Sequence, residues 1–576
     1  MATLPLKNNA TVAIVGSGPA GSSCAIRLLQ QAKKRGININ VTMYEGKDFQ
    51  VHHNQCVGVL SPPLIEILSE ELNIELPPSL FKRTIYGYML HYDDSEILLV
   101  DKGDAGLTIT VRRLEFDRFL LETAQKLGAT LIRSRVNYIE FMTPEEETGS
   151  VRIYCDSGYL KADCMVAAFG LDSTMLTVLE DATKGARQYH RPKKVLKTYI
   201  TKIHSSPVVM RQKIGNIIYA YVKPREIPRI EFGAISPKGD HVIINIAGEK
   251  VTSLDMDMFL SLEEVREHLP DINYGEIDYF EGNFPTAPSK NPYGDRYAAV
   301  GDTTGWMRPF KGKGINVAVT TGIRAADAII NYGVGKDSFD KYELSCKDLH
   351  DDYIYGAMVR MMCNKASGLF MSYLMNVALV NPIIYDALFD SVSGQRAYKD
   401  IMKSILRPEF VKKSASIILK KYIKRGRKMH EIIIRNLSRA DIDAIRKIDE
   451  RITGKPQEAY WTGKITKYLS SEPGACFVAE IDNKLVGFIL GDIRGWEYMS
   501  PISGWLDIIG VDIDYRSMGI GKKLIDALFD YFKKAGIEEI ITMVSWNDVD
   551  LVEYFRSTGF ERGRYINMIK KLGDKQ

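Results

Sequence analysis

Residues 12–21 read VAIVGSGPAG, and this stretch decides the fold of the first part of the chain. Four apolar residues in a row suit a parallel strand buried on both faces. The turn that follows places Gly16, Gly18 and Gly21 in the G-x-G-x-x-G spacing, with Ala20 inside it. The first glycine permits a tight turn, the second lets backbone approach a diphosphate closely, and the third lets the next helix pack tightly on the strand. That helix, SSCAIRLLQQAKKRG, turns its positive N-terminal end toward the phosphates. A second strand, INVTMYEGK (39–47), ends at Glu45, whose carboxylate can accept both hydroxyls of an adenosine ribose. The βαβ unit predicts a Rossmann-like, dinucleotide-binding α/β fold.

A second and unrelated cradle stands near the other end, in VDIDYRSMGIGKKLI (511–525). Arg516, Gly519 and Gly521 fall in an R-x-x-G-x-G spacing at a strand-to-helix turn, and an amphipathic helix follows. Successive N–H groups at such a turn can hold a diphosphate, and glycine removes the side chains that would block it. Upstream, CFVAEIDNKLVGFILGDI (476–493) carries Asp482 and Asn483 between two alternating runs, which predicts a hairpin. The chain therefore reads as two cofactor-using machines joined end to end.

Composition sets limits on partners. Across 576 residues, 76 Lys and Arg against 72 Asp and Glu leave a net charge of +4, too small and too diffuse for a dedicated nucleic-acid binder. The 7 cysteines are scattered and none forms a C-x-x-C pair, so neither a disulfide framework nor a structural metal site is expected. The chain reads as reduced and cytoplasmic, with no export signal. A charge-free run at 366–385 is near bilayer length, but Ser367, Ser372, Asn376, Asn381 and Pro382 interrupt it. Its readings are a buried or lipid-lining helix, an interfacial helix or, least of all, a membrane span.

The set VAIVGSGPAG, Arg113 to Asp117 in VRRLEFDRFLLETAQKLGA, VAAFGLDS (166–173) and GDTTGWMRPFKGKGIN (301–316) resembles the FAD signature of the geranylgeranyl reductase family and its aromatic-hydroxylase relatives, over residues 10 to about 400. The resemblance implies FAD rather than free NAD. It places Gly301 and Asp302 at the ribityl and diphosphate region and Gly312, Gly314, Ile315 and Asn316 at a helix start over the isoalloxazine, whose N–H groups can steady negative charge on reduced flavin. The family's cysteine-bearing glycine motif is matched by NQCVGVLSPP (54–63), with Cys56 and Gly58, although Val57 and Val59 replace its usual glycines. Cys56 is then a candidate proton donor, or otherwise a small buried hydrophobe; His52 and His53 precede it as solvated loop residues or a proton relay. Tyr219, Tyr221 and Pro224 fit the family's aromatic-x-aromatic-x-x-Pro segment over the substrate. The implied reaction is hydride delivery to an isoprenoid double bond; a monooxygenase acting on a small aromatic or lipid is the alternative. No second dinucleotide unit follows, so the electron donor, NAD(P)H or another external reductant, visits transiently.

The expected organisation is an FAD-binding oxidoreductase over 1–335, with a mixed-sheet substrate domain inserted at about 190–290, then a helical region and basic linker over 336–428. The methionine-rich helices suit either a tunnel for a flexible isoprenoid or plain core packing. The basic amphipathic stretch from Val411 to Lys428 suits either peripheral contact with an anionic membrane or a solvated helix face.

Residues 429–576 resemble the GNAT acetyltransferase family, in the order strand, hairpin, strand, R-x-x-G-x-G, helix, strand, helix. The resemblance implies acetyl-CoA as cofactor and a small amine as acceptor. It carries pantetheine pairing to Ile509 and Val511 and diphosphate binding to Arg516 through Lys522; Asp548 occupies the family's usual asparagine position, and Asn547 beside it is the candidate for that cofactor contact. The tyrosine that protonates the departing thiolate in many members is replaced by Phe555, with Tyr554 adjacent. Asp507 is a candidate base, or a solvated strand acid. An acetyl-CoA sensor without turnover is the second reading of this domain.

Overall fold

The computed structural model describes residues 6–48, 56–92, 95–101, 106–142, 150–185, 187–270, 277–307, 313–365, 371, 374–375, 377–379, 381–405, 432–453, 458–495, 502–515, 519–544, 551, 555 and 558–561. The chain divides into two compact units, Met1–Lys413 and Ser414–Gln576.

The first unit is built on a six-stranded sheet in the order Tyr293–Gly294, Tyr297–Ala299, Cys164–Ala167, Ala10–Val15, Ile39–Tyr44, Thr130–Ile132. All its neighbours are parallel except the first pair. Val12 pairs with Val41 on one side and Cys164 on the other, so the Ala10–Val15 strand is central and its continuous apolar run is accounted for. The helices Pro19–Arg35 and Gly314–Tyr332 pack against each other here. Their approach is so close that a Cβ on Gly322 would lie 2.3 Å from the Ala20 carbonyl oxygen, which makes a side chain at 322 intolerable.

A seven-stranded sheet follows in the order Tyr279–Pro285, Val195–His204, His241–Gly248, Phe232–Pro237, Ile217–Val222, Gly87–Tyr92, Ser95–Val100. Five strands come from the stretch expected to form an insertion. The other two come from residues 87–100, because Gly87–Tyr92 pairs in parallel with Ile217–Val222 and carries Ser95–Val100 with it.

The helices Lys347–Lys365 and Pro382–Ser393 belong to this same unit. Within the charge-free run, Met371, Met375 and Ala378 are buried in one cluster with Ile384, Leu388, Phe389, Tyr88 and Leu90, which is core packing against the large sheet. Among the described residues no helix is long and apolar enough to cross a membrane. The basic stretch 411–428 lies outside the described residues.

The second unit has a five-stranded sheet in the order Ile433–Asn436, Cys476–Ile481, Lys484–Arg494, Ser503–Val511, Ile540–Thr542. Asp482 and Asn483 both take positive φ, 52° and 63°, as a two-residue type I′ hairpin turn requires. The helix Ile520–Lys534 lays Ile520, Leu524, Ile525, Leu528 and Phe532 on the sheet. Glycines receive them: a Cβ on Gly491 would stand 2.6 Å from Leu528, and one on Gly504 would stand 2.7 Å from Phe532.

Candidate functional site

A cavity of about 810 Å³ opens in the first unit where the glycine turn after Ala10–Val15 faces the large sheet. Gly16, Gly18, Ala20, Glu45, Cys56 and Arg113 line it, and so do Gly301, Asp302, Gly314, Ile315 and Asn316. Gly21 stands just behind the wall, where a Cβ would sit 2.0 Å from the Gly16 carbonyl oxygen. Gly312, His52 and His53 lie outside the described residues.

The residues of this wall fit a dinucleotide. A Cβ on Gly18 would meet nothing within 4 Å, so the turn fronts open space. The helix Pro19–Arg35 that begins there has no side-chain cap and no acid in its first turn, which leaves its N-terminal N–H groups for an anion. Glu45 closes the turn: its Oε2 accepts from the Ser17 N–H at 3.0 Å and the Ser17 hydroxyl at 2.9 Å. Arg113 pairs with Asp117 at 2.9 Å, which holds the guanidinium toward the cavity. Burial pushes the Asp302 carboxyl up to about 6, against the opposing pull of Arg113.

The far wall is mostly apolar, with Thr198, Ser236, Asn245 and Asn283 as its polar members. Tyr88, Leu90, Ile218, Ala220, Val222 and Phe232 face the cavity from the large sheet. Tyr219 and Tyr221 do not, which corrects the expectation that they cover a substrate. Side chains along a strand alternate between faces, so Ile218, Ala220 and Val222 take the cavity face while the two tyrosines take the other. There Tyr221 stacks on His91 at 4.5 Å and donates to the Glu264 carbonyl at 2.9 Å, and Tyr219 stacks on His268 at 3.9 Å. Burial, with His268 adding to it, holds His91 down at about 4, so that ring is neutral against Tyr221. The neighbouring strand Phe232–Pro237 supplies what the tyrosines do not: Phe232, Ala234 and Ser236 line the cavity, an alternation present in the sequence.

Cys56 is the one partly exposed cysteine; the other six are buried. Its Sγ accepts from the Gly58 N–H at 3.4 Å. Gly58 needs to be glycine: its φ is +67°, and a Cβ would stand 2.5 Å from the Val111 carbonyl oxygen. Where two inner strands of the large sheet pair at their ends, His204 and His241 are cross-strand partners, and with Asp240 they bring three potential metal ligands within 4.8 Å of one another. Arg112 already takes both Asp240 oxygens at 3.0 Å, so a cation there would have to displace it.

In the second unit, Ser503–Val511 pairs with Ile540–Thr542 only from Gly504 to Leu506. From Asp507 to Val511, Ile509 and Val511 included, that side of the strand has no ladder partner among the described residues. The helix Ile520–Lys534 begins at Gly519, with φ +77°, no side-chain cap and open space where a Cβ would stand. In its first turn Gly521 is half-buried and Lys522 exposed. Arg516, Asn547, Asp548 and Tyr554 lie outside the described residues.

Asp507 is the extra residue of a bulge, since Leu490 pairs with Ile508 and Gly491 with Leu506. A bulge re-aims a side chain, and here it sends the carboxylate to Lys464 at 3.1 Å, Arg494 at 3.2 Å and the Tyr468 hydroxyl. Burial would raise this carboxyl, but Tyr468, Lys464 and Arg494 hold it below the usual carboxylate range. Such a group is a weak proton acceptor, which tells against the expected role as base. Tyr468 has no signal in the sequence because it lies on a helix remote from every motif. Phe555 is 5% exposed and packs on Phe560 at 5.3 Å, a core position.

The Acetyltransferase (GNAT) family profile matches residues 442–560. An uncharacterized N-acetyltransferase of Methanocaldococcus jannaschii is 31% identical over 130 residues, 22% of this chain and 78% of the relative. Over the first unit, the digeranylgeranylglycerophospholipid reductase of Methanococcus vannielii is 24% identical over 433 residues, 73% of this chain and 98% of the relative. The crystal structure of a geranylgeranyl bacteriochlorophyll reductase-like protein from Thermoplasma acidophilum superposes with a TM-score of 0.54 at 17% identity, covering 71% of this chain and 99% of that one. A flavin-dependent brominase shares the fold at a TM-score of 0.50 and 17% identity, over 70% of this chain and 99% of its own. The chain belongs, through residues 442–560, to the GNAT acetyltransferase family, and the unit before it has a Rossmann-like fold similar over nearly the whole length of its relatives to the geranylgeranyl reductases.

Proposed function

We propose that the first unit is an FAD-dependent reductase of isoprenoid, geranylgeranyl-type carbon–carbon double bonds, and that the second transfers acetyl from acetyl-CoA to a small amine. The observation that carries the first reading is one cavity with two chemically different walls. The glycine turn, Glu45, Arg113 and Asp302 would hold FAD at its diphosphate and ribose, and Gly314 to Asn316 would meet the ring system. The apolar sheet face would hold a prenyl chain dry and in line, which an unactivated alkene needs. FAD, once bound, supplies the hydride; Cys56, at the junction of the two walls, would hold the proton for the other carbon. NAD(P)H or another external donor would recharge the site. In the second unit Gly519 to Lys522 would grip the CoA diphosphate and Ile509 and Val511 would pair with the pantetheine arm.

Anaerobic photoreduction of the purified flavoprotein, followed by mixing with geranylgeranyl lipids, tests this directly. Reoxidation by a prenyl lipid is expected; a reduced flavin that no prenyl lipid reoxidises overturns the reading. The fold shared with a brominase favours flavin monooxygenase chemistry as the second reading, marked by O2-dependent NAD(P)H oxidation that substrate stimulates. Acetyl-CoA binding without transfer to any amine would assign the second unit to sensing.

A further inference from the structure

Asn245 interrupts the apolar run VIINIA (242–247) in the strand His241–Gly248. It is 7% exposed, and among the described residues nothing hydrogen-bonds its side-chain amide. The amide faces the cavity, while Ile244 and Ile246 on either side of it belong to the core on the other face, with Tyr219 and Tyr221. Asparagine is depleted in strands, and a buried amide without a partner is costly. Neither packing nor strand propensity accounts for this residue, whereas a ligand group in the cavity would.

Strand register places Asn245 in a row that crosses the sheet. Ile200 and Ala234 are its two partners, Ala220 stands opposite Ala234, and Leu90 stands opposite Ala220. All five line the cavity. Ala234 and Ala220 have no bulk and keep part of their surface exposed, while the adjoining rows carry Phe232 with Val222 on one side and Ile218 with Tyr88 on the other. The alanines thus floor a trough that runs across the strands from Asn245 to Leu90, about 14 Å at the ordinary spacing of neighbouring strands. Asn245 makes one end of it polar, and Thr198 and Ser236 add hydroxyls one row to either side.

Charge narrows what can lie there. Among the described residues the large sheet brings no charged side chain to the cavity; Lys47, Arg113, Arg135 and Lys313 line it from segments outside that sheet. Of these, Arg113 is paired with Asp117 at 2.9 Å and Lys313 donates to the Pro62 carbonyl at 2.6 Å. An anion on the sheet would lose its hydration with no cation in return, but a neutral oxygen loses far less and finds the amide. We propose that Asn245 is a specificity-determining residue: the alanine trough takes a prenyl chain, and the Asn245 amide hydrogen-bonds a neutral oxygen, of an alcohol or an ether, at the end of that chain. The proposal rests on reading the cavity as a flavin and prenyl site, and adds that the ligand lies across the strands and is not a diphosphate.

The test is equilibrium binding of radiolabelled ligands to the oxidised, full-length holoprotein, so that no turnover is involved. The probes are geranylgeraniol, its methyl ether, the hydrocarbon lacking the hydroxyl, and geranylgeranyl diphosphate. Comparing Asn245→Leu with wild type on each probe cancels the differences in how the probes leave water. The variant is expected to bind geranylgeraniol about tenfold more weakly, the worth of one hydrogen bond, and the hydrocarbon as well as wild type or better. An ether that weakens along with the alcohol makes the amide the donor, and one that does not makes the ligand hydroxyl the donor; either pattern supports the proposal. Equal effects on alcohol and hydrocarbon overturn it. So does wild-type protein that binds the diphosphate more tightly than the alcohol, or a flavin spectrum that shifts in ligand-free Asn245→Leu, which would give the amide to the flavin. The variant should melt no lower than wild type, since it replaces an unpartnered amide by an apolar group; a lower melt with equal losses on all probes marks a merely structural residue. Ala234→Leu fills the trough and keeps the question open to refutation if Asn245→Leu does not fold: it should weaken alcohol and hydrocarbon alike, and unchanged binding overturns the proposal. Discrimination by Asn245 without reoxidation of reduced flavin would refute the reductase reading alone, reoxidation without discrimination would refute this proposal alone, and no binding of any probe refutes both.

Discussion

The Glu45 carboxylate reaches back across the glycine turn to Ser17, accepting from both its N–H and its hydroxyl at 3.0 and 2.9 Å. The end of the second strand thereby braces the loop proposed to meet the diphosphate. Glu45→Ala removes three hydrogen bonds to the carboxylate, from the Ser17 N–H, the Ser17 hydroxyl and the Lys47 N–H, and bonds to a charged acceptor are the stronger kind. We expect FAD affinity, measured by fluorescence titration, to fall by about 2 kcal/mol, and the melting temperature of the first unit to fall too, because Ser17 is buried and loses this partner.

Gly18 and Gly21 separate packing from binding. A Cβ on Gly21 would meet backbone at 2.0 Å, and overpacking of this kind costs about 1–3 kcal/mol; Gly21→Ala should lower the melting temperature even of flavin-free protein. A Cβ on Gly18 meets nothing, so Gly18→Ala should melt like the wild type while losing flavin. A Gly18→Ala protein that keeps wild-type flavin affinity would place the diphosphate elsewhere.

Asp302 gives a pH signature of its own. Its carboxyl rises from the ordinary 3.8 to about 6, so the fold favours the protonated acid. That contribution to stability is fully present below about 3.8 and is lost as pH rises through about 6. An ionised carboxylate beside a diphosphate repels it, so FAD affinity should weaken roughly tenfold between about pH 5 and 7. Asp302→Asn should bind FAD with no such slope.

Asp507 should behave in the opposite sense. Its carboxyl is held below 3.8, so its contribution is complete above that value and disappears only as pH falls through the lower folded one. Acid melts of the second unit should show this loss, and Asp507→Asn should remove it. Acetyl transfer at neutral pH should show no inflection assignable to this residue; an inflection that Asp507→Asn abolishes would restore it as a base.

Phe555→Tyr tests whether the family's usual tyrosine can be reinstated. The position is core, against Phe560, and a hydroxyl there without a partner costs about 1–3 kcal/mol. Lower stability and no gain in acetyl transfer are expected.

The glycine spacings, Glu45 and the Asp482–Asn483 hairpin were legible because each depends on a few neighbouring residues whose backbone demands are strict. What decides the face of Tyr219 and Tyr221 is different in kind. A shift of one residue in strand register inverts every side chain, and IYAYV is apolar on both faces, so the pattern leaves the choice to tertiary packing. Lys238 escaped for a related reason: a lysine in a P-K-G-D turn looks solvated until two carbonyls from distant segments, those of Gly58 and Val111, close over it. The bulge at Asp507 leaves no mark in the sequence at all.

The large sheet also has a consequence for how the protein is made. Gly87–Tyr92 joins Ile217–Val222 in parallel, a ladder between strands far apart in the chain, whereas the sheet of the second unit is assembled mostly from neighbouring strands. Non-local pairing is slow, and on the ribosome an apolar early strand must wait for its mate. Residues 87–100 thus stand as a two-stranded piece until residues 217–222 have been made, and the cavity wall that the two segments share forms only after that.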